Sequence, residues 1–282
     1  MNSTLILLIL LIFFLISLNN HTYIENFNSS IIDNFDPIYC KYYNNTFNHE
    51  NLFSSDINKI FKKYSKNIKN SIVLDAGTGC GKHYKYLSKI FPHVIGIDKS
   101  ENMLKYAQIN NPSGKFINNN LLNQNNFTPK LFTHITCLTD TLYHNSLTDI
   151  DKILLNFNIW LKDDGKLILH IFNRKDLDPC PMDYSQYYKD KNGVKHSLTY
   201  FNTYTHDSYW KNLDENRVMY IENIITKNKK HKITKTILYI PENKDIILDK
   251  LRQHGFKLED ILSLNDVGNN DLNIYFFKKI SI

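Results

Sequence analysis

Cysteine is scarce in this chain and spaced for none of its usual joint chemistry. The four residues Cys40, Cys80, Cys137 and Cys180 form no C-x-x-C pair, which argues against a zinc knuckle or a redox dithiol, and no metal site is expected. Cys80 sits in a glycine-rich loop and Cys137 in an apolar run, so free thiols in a reducing compartment are expected. Basic residues are missing from the whole N-terminus: none precedes Lys41, so charge asymmetry says little about membrane orientation. Beyond it, 34 Lys and Arg are interleaved with 28 Asp and Glu for a net charge of +6. That spread reads as a solvated surface, and nucleic acid is not expected as a partner. Internal repeats are absent too. With 42% hydrophobic and 22% charged residues, the 282-residue chain is also not a mainly disordered one.

One long hydrophobic run is present. Thr4 to Leu18 read TLILLILLIFFLISL, with no charge and no polar face of the kind a soluble helix shows. A spanning helix needs about 20 apolar residues, so the run is short, but its Asn and Ser flanks or a thin bilayer could accommodate it. A cleaved signal peptide is the alternative, against which stand the missing basic flank and the missing small-x-small cleavage site. Residues 1–20 are therefore read as a single membrane anchor ahead of a cytosolic main domain, with a secretory signal as second choice. Residues 21–50 read as an Asn-rich linker and N-terminal segment, and 51–282 as the main domain.

The remainder alternates. Helical spacing runs from Asn51 to Ile68, followed by a strand at Ser71–Asp75, a glycine turn and an amphipathic stretch from Lys82 to Phe91. His93–Asp98 is a second strand, and Ser100 caps a helix reaching about Asn110. Strands follow at Lys115–Ile117 and His134–Leu138, a helix at Ser146–Leu161 and a strand at Gly165–Phe172. This alternation implies a doubly wound, mostly parallel sheet with ligand at the carboxyl ends of its strands. The rhythm breaks over residues 177–241, rich in Tyr, where Ser197–Tyr204, Arg217–Thr226 and Lys232–Ile240 look like antiparallel strands and Lys227–His231 like a hairpin turn. A helix from Glu242 to His254, ended by Gly255, and a strand from Leu272 to Lys278 close the chain.

Chemistry is concentrated in Asp75-Ala-Gly-Thr-Gly-Cys-Gly81. A P-loop needs G-x-x-x-x-G-K-[ST], but Ala76 replaces the first glycine and His83 the hydroxyl residue. A dinucleotide fingerprint needs G-x-G-x-x-G, but the third glycine comes one residue early. What stands is strand, Asp-x-Gly-x-Gly-x-Gly, helix, then a second strand ending in Asp98. With VLDAGTGCG at 73–81, VIGID at 94–98, WLKDDGKLIL at 160–169 and HGF at 254–256, the region from about Asn51 to Ile282 resembles the class I methyltransferase family. In the third motif Asp163-Asp164-Gly165 replaces the family's Pro-Gly-Gly.

The resemblance implies a Rossmann-like, seven-stranded α/β sheet with an antiparallel insertion between strand five and the last helix. It also implies S-adenosyl-L-methionine as cofactor. The glycines Gly77, Gly79 and Gly81, with Thr78, would let the backbone approach the ligand. Asp75 would attract the amino-acid tail and Asp98 both ribose hydroxyls. Asn120 occupies the place of an adenine-binding Asp, Met103 and Leu121 could pack on the adenine faces, and Thr139 lies where the methionine part runs. After the fourth strand, His144 is the candidate base and Tyr143 a wall or hydrogen-bond donor. An Asn/Asp-Pro-Pro-Tyr motif is missing there, which disfavours nucleobase and glutamine amino groups as acceptors. Phe35–Tyr39 and Tyr42-Tyr43 resemble a segment closing over the cofactor, and the Tyr-rich insertion a lid. A small-molecule acceptor is expected; an RNA or protein methyltransferase, or a non-catalytic relative, is the alternative.

Overall fold

The computed structural model describes residues 35–46, 57–58, 65–177, 185–227, 231–263 and 272–280. The apolar run 4–18, Cys180 and most of the expected helix at 51–68 lie outside them, although Ile57 is helical and fully buried. Among the described residues no helix is long and apolar enough to cross a membrane.

A helix, α1 (Pro37–Thr46), comes before the alternating part of the chain. That part is β1 (Ile72–Ala76), α2 (Lys82–Ile90), β2 (His93–Asp98), α3 (Glu101–Asn110), β3 (Phe116–Asn118), β4 (Phe132–Cys137), α4 (Leu147–Trp160) and β5 (Leu161–Phe172). The chain closes with α5 (Asp245–Gln253), β11 (Phe256–Ser263) and β12 (Leu272–Lys279). These strands form one seven-stranded sheet in the order β11-β12-β5-β4-β1-β2-β3. All pairs from β5 to β3 are parallel, and β12 runs antiparallel to both β5 and β11. Val73, Leu74 and Ala76 of β1 are buried, as expected of a central parallel strand covered on both faces. On one face lie Tyr84, Leu87 and Phe91 from α2 and its end. On the other lie Ile150, Ile153, Leu154, Phe157 and Trp160 of α4, at helical spacing, with Ile247 and Leu251 of α5. The expected caps are present. Ser100 Oγ accepts from the Met103 amide and Ser146 Oγ from the Asp149 amide, while Gly255 after α5 takes φ +77°.

The insertion is a separate five-stranded antiparallel sheet of β6 (Gln186–Lys189), β7 (Lys195–Tyr200), β8 (Tyr204–Asn212), β9 (Val218–Thr226) and β10 (His231–Leu238), ordered β10-β9-β8-β7-β6. Two corrections follow. The expected strand at Ser197–Tyr204 is the end of one strand and the start of another, turned at 201–203. β6 and most of β8 were not anticipated: β6 is exposed throughout and shows no alternation, and in β8 the buried positions include His206 and Ser208, which hide it. β9 and β10 pair as a hairpin should, though residues 228–230 of the expected turn lie outside the described ones. The sheet returns to the core at β4's exit, where the Tyr239 amide donates to the Tyr143 carbonyl at 2.8 Å. Everything described belongs to one unit, Asn34–Ile282.

Candidate active site

Strand order reverses between β1 and β4, and their carboxyl ends therefore open a crevice in which a ligand can sit. The glycine loop after β1 forms one wall. Gly77, Gly79 and Gly81 have φ of +71°, +52° and +72°, a conformation that L-residues adopt only at a cost. Their lack of a side chain serves different ends. A Cβ on Gly77 would lie 2.0 Å from Cγ2 of Thr141, and one on Gly81 would lie 2.6 Å from Nδ2 of Asn111. Those two glycines make room for protein. Only at Gly79 would a Cβ meet nothing within 4 Å, so open space for a ligand lies there.

Asp75 ends β1 beneath this loop, 2% exposed. Its oxygens accept from Thr78 Oγ1 at 2.6 Å and Thr136 Oγ1 at 3.1 Å. Burial raises its pKa to about 6, against the pull of those two hydroxyls. Asp98 ends β2 and accepts from the Gly79 amide at 2.8 Å and the Ser100 amide at 2.9 Å, one on each oxygen. Burial pushes its pKa up while these donors hold it down. A carboxylate oxygen has about two acceptor sites, so each oxygen retains one, a geometry suited to a pair of vicinal hydroxyls. The donors and the opening at Gly79 thus fit a ribosyl ligand with an amino-acid tail. Met103 of α3 is buried and takes the Cys80 thiol at 3.3 Å.

Asn120 and Leu121 differ from expectation. Asn120 is exposed and its Oδ1 caps the Leu122 amide at 3.0 Å, so half of its acceptor capacity is already used. Leu121 is buried in the main core, its carbonyl accepting from Asn156. Thr139 has φ +54°, held by its amide donating to Nδ1 of buried His170 at 2.8 Å. Its hydroxyl turns back to the Leu138 carbonyl, so it presents backbone rather than side chain.

Beyond β4, the sequence reading of Tyr143 is corrected. Its side chain is 0% exposed, its ring lies edge-on to Phe172, and its hydroxyl accepts from the Phe172 amide at 3.0 Å. It is a core residue, not a wall of the site. His144 does reach the crevice. Its Nε2 lies 3.2 Å from Asp140 Oδ2 and its ring edge-on to Phe35 at 5.8 Å. Burial would raise Asp140, but His144 beside it, with hydrogen bonds from the Asp140 backbone and the Thr139 side chain, holds it below the usual range; His144 also acts on Asp98.

A roof completes the site; Tyr39 lies in the segment read from sequence as closing over the cofactor, whereas Glu222 and His206 of the insertion were not singled out. Tyr39 of α1 donates its hydroxyl to Glu222 Oε2 at 2.7 Å, and His206 Nε2 lies 3.0 Å from Glu222 Oε1. Tyr39, Cys40, Cys80, Met103, Tyr204 and Ile224 share one cluster, joining α1, the cofactor loop, α3 and the inserted sheet. The one sequence signal for Glu222 was an acid on the register of Val218 and Ile224 within an apolar strand.

Fold and crevice together define a Rossmann-like domain whose glycine turn lies at a topological switch point, where such sheets take a ligand. Residues 73–165 match the family described as "Methyltransferase domain", so the chain carries a methyltransferase domain, and S-adenosylmethionine is its cofactor. Solved structures of the same fold include an S-adenosylmethionine-dependent methyltransferase from Clostridium acetobutylicum, with TM-score 0.65 and 16% identity over 84% of this chain and 94% of that one. An amino pentose methyltransferase from Micromonospora echinaspora, solved with S-adenosylmethionine, gives TM-score 0.63 and 13% identity over 87% and 98%. A sugar N-methyltransferase from Streptoalloteichus gives 0.62 and 15% over 86% and 93%. No curated protein sequence matches the chain.

Proposed function

We propose that the chain methylates a small-molecule acceptor held between the carboxyl end of the core sheet and the inserted sheet. The carrying observation is the roof: α1 and the inserted sheet meet through Tyr39 and Glu222 directly above the cofactor loop. A crevice roofed by its own chain suits a small molecule better than a duplex. The amino pentose and sugar N-methyltransferases of like fold support the same class.

In this reading Asp98 binds the two ribose hydroxyls, Asp75 faces the ammonium of the tail, and Gly77, Thr78, Gly79 and Gly81 shape the loop around it. Met103 and Asn120 border the adenine, and the Thr139 backbone borders the methionine part. Bound S-adenosylmethionine supplies a methyl group on a sulfonium, open to in-line displacement. The residues around it hold the acceptor in line and keep water out. With its proton on Nε2, toward Asp140, His144 has Nδ1 free to take a proton from the acceptor, and Asp140 stabilises the resulting imidazolium.

Asp98→Ala is expected to weaken S-adenosylmethionine binding roughly ten- to a hundred-fold by titration calorimetry, since a charged hydrogen bond contributes about 1.5–3 kcal/mol. Unchanged affinity removes Asp98 from the site. Supplying methyl-labelled cofactor and a whole-cell extract to the full-length protein tests the acceptor class. Label in the low-molecular-weight fraction supports the reading, and label confined to RNA or protein defeats it. We also propose that residues 4–18 anchor the enzyme to a membrane with its catalytic domain in the cytosol. Release of the intact chain from membranes by alkaline carbonate would rule that out.

A further inference from the structure

A sheet face packed against the rest of a protein is ordinarily apolar. The face of the inserted sheet beneath α1 is not. Ser197, Ser208, Glu222 and Thr234 stand directly opposite one another across β7, β8, β9 and β10, and their exposures are 0%, 0%, 2% and 8%. Ser208 Oγ, Thr234 Oγ1 and Trp210 Nε1, on the same face, are buried without a hydrogen-bond partner among the described residues. Each such group costs about 1–3 kcal/mol, and three around one buried carboxylate call for a ligand or a reason. Charge points the same way. Tyr43 of α1 packs on the cluster that joins cofactor loop and inserted sheet, and after burial the charges of Asp140, Glu222 and Asp98 raise its hydroxyl's pKa. An anionic acceptor would be repelled by all three, and a cationic one attracted.

We infer that this row is the acceptor's recognition surface and that the acceptor is a polyhydroxylated amine. Glu222 takes the ammonium group, Ser208 and Thr234 take hydroxyls, and the Trp210 indole N–H takes an ether or hydroxyl oxygen. Tyr39 of α1 currently donates to Glu222, so the acceptor reaches Glu222 as this helix lifts. The inference rests on the methyltransfer reading above and specifies its substrate class.

The test is calorimetric binding to the full-length protein, with S-adenosylmethionine affinity measured on the same samples. The probes are a set of aminodeoxyhexoses carrying the amine at each ring carbon, with glucose and cyclohexylamine as references. At least one amino sugar is expected to bind roughly tenfold or more tighter than both references. Glu222→Gln should weaken it about ten- to a hundred-fold, and Ser208→Ala and Thr234→Val severalfold, with cofactor affinity unchanged. If Glu222→Gln fails to fold, the two hydroxyl variants carry the test. Amino sugars binding no better than the references, or binding the two hydroxyl variants as well as the parent, overturns the inference. A parent protein that binds no S-adenosylmethionine defeats instead the underlying function.

Discussion

The two sheets of this protein are buried by opposite means. In the core sheet Ile168, Leu169, Ile274 and Phe276 are sealed between helices, and its buried carboxylates are paired, Asp75 with Thr78 and Thr136 and Asp98 with two amides, while His170 keeps one ring nitrogen without a partner among the described residues. In the inserted sheet the covered face carries Ser197, Thr199, His206, Ser208 and Glu222, and the Ser208 hydroxyl has no partner among the described residues. Apolar burial stabilises at roughly 25 cal/mol per Å² whatever the neighbour, whereas polar burial is favourable only when every group finds a mate. The core sheet is thus a scaffold, and the inserted sheet reads as a surface made for something else.

The largest effect should fall where scaffold and cofactor loop interlock. Gly77→Ala places a methyl group 2.0 Å from Thr141 Cγ2 on a residue at φ +71°. Crowding and left-handed backbone together should cost about 3 kcal/mol or more in chemical denaturation. Gly79→Ala, with open space and φ +52°, should cost only about 1 kcal/mol for its backbone, yet should weaken cofactor binding. Equal losses of stability at the two sites would mean that the loop does not divide its glycines between protein and ligand.

This contrast also explains what could be read from residues alone. β1, β2, α3, α4 and the last strand follow periodic apolar patterns and local caps, and they lie where those patterns put them. The glycine loop is continuous with Asp75, and Asp98 ends the next strand, so their places in the fold are equally readable. Tyr143 was misplaced because an aromatic just past a strand end looks the same whether it faces ligand or core; only the Phe172 amide above its hydroxyl distinguishes them. His170, which sets the backbone of Thr139 from 31 residues away, leaves no local trace. The polar inner face of the insertion defeats a binary pattern outright, since Ser208 and Glu222 look solvent-facing until the pairing of three strands and the cover of α1 are known.

Acid should find the scaffold's own weak point. His170 is 2% exposed, and burial holds its pKa down at about 3, with His83, ring 6.4 Å away and itself lowered to about 4, pushing the same way. Its folded pKa lies below the unfolded value, so the neutral form contributes stability that is complete above about pH 6.5 and is lost as pH falls toward the folded values. By about pH 5 the His170 contribution to that loss should be on the order of 2 kcal/mol. His170→Asn, whose side-chain oxygen can still accept from Thr139, should flatten the decline in urea denaturation series between about pH 7 and pH 5. A variant that declines as steeply as the parent would show that His170 titrates freely and that the scaffold is less sealed than its packing indicates.

The smallest difference is the sharpest comparison of the two sheets. Thr136→Val keeps the shape of a core-sheet residue but strips a hydroxyl from Asp75 Oδ1, and should cost about 1–3 kcal/mol, the usual loss when a buried charged group is left short of a donor. Ser208→Ala removes a hydroxyl that has no partner to lose, and its effect should lie within about 0.5 kcal/mol of zero or on the stabilising side. Both are read as shifts in urea midpoint at constant slope. A Ser208→Ala loss as large as that of Thr136→Val would mean the inserted sheet's polar row is an ordinary satisfied network. A neutral Ser208→Ala that also weakens amino-sugar binding would show a hydroxyl kept for a ligand, at a position where folding has no use for it.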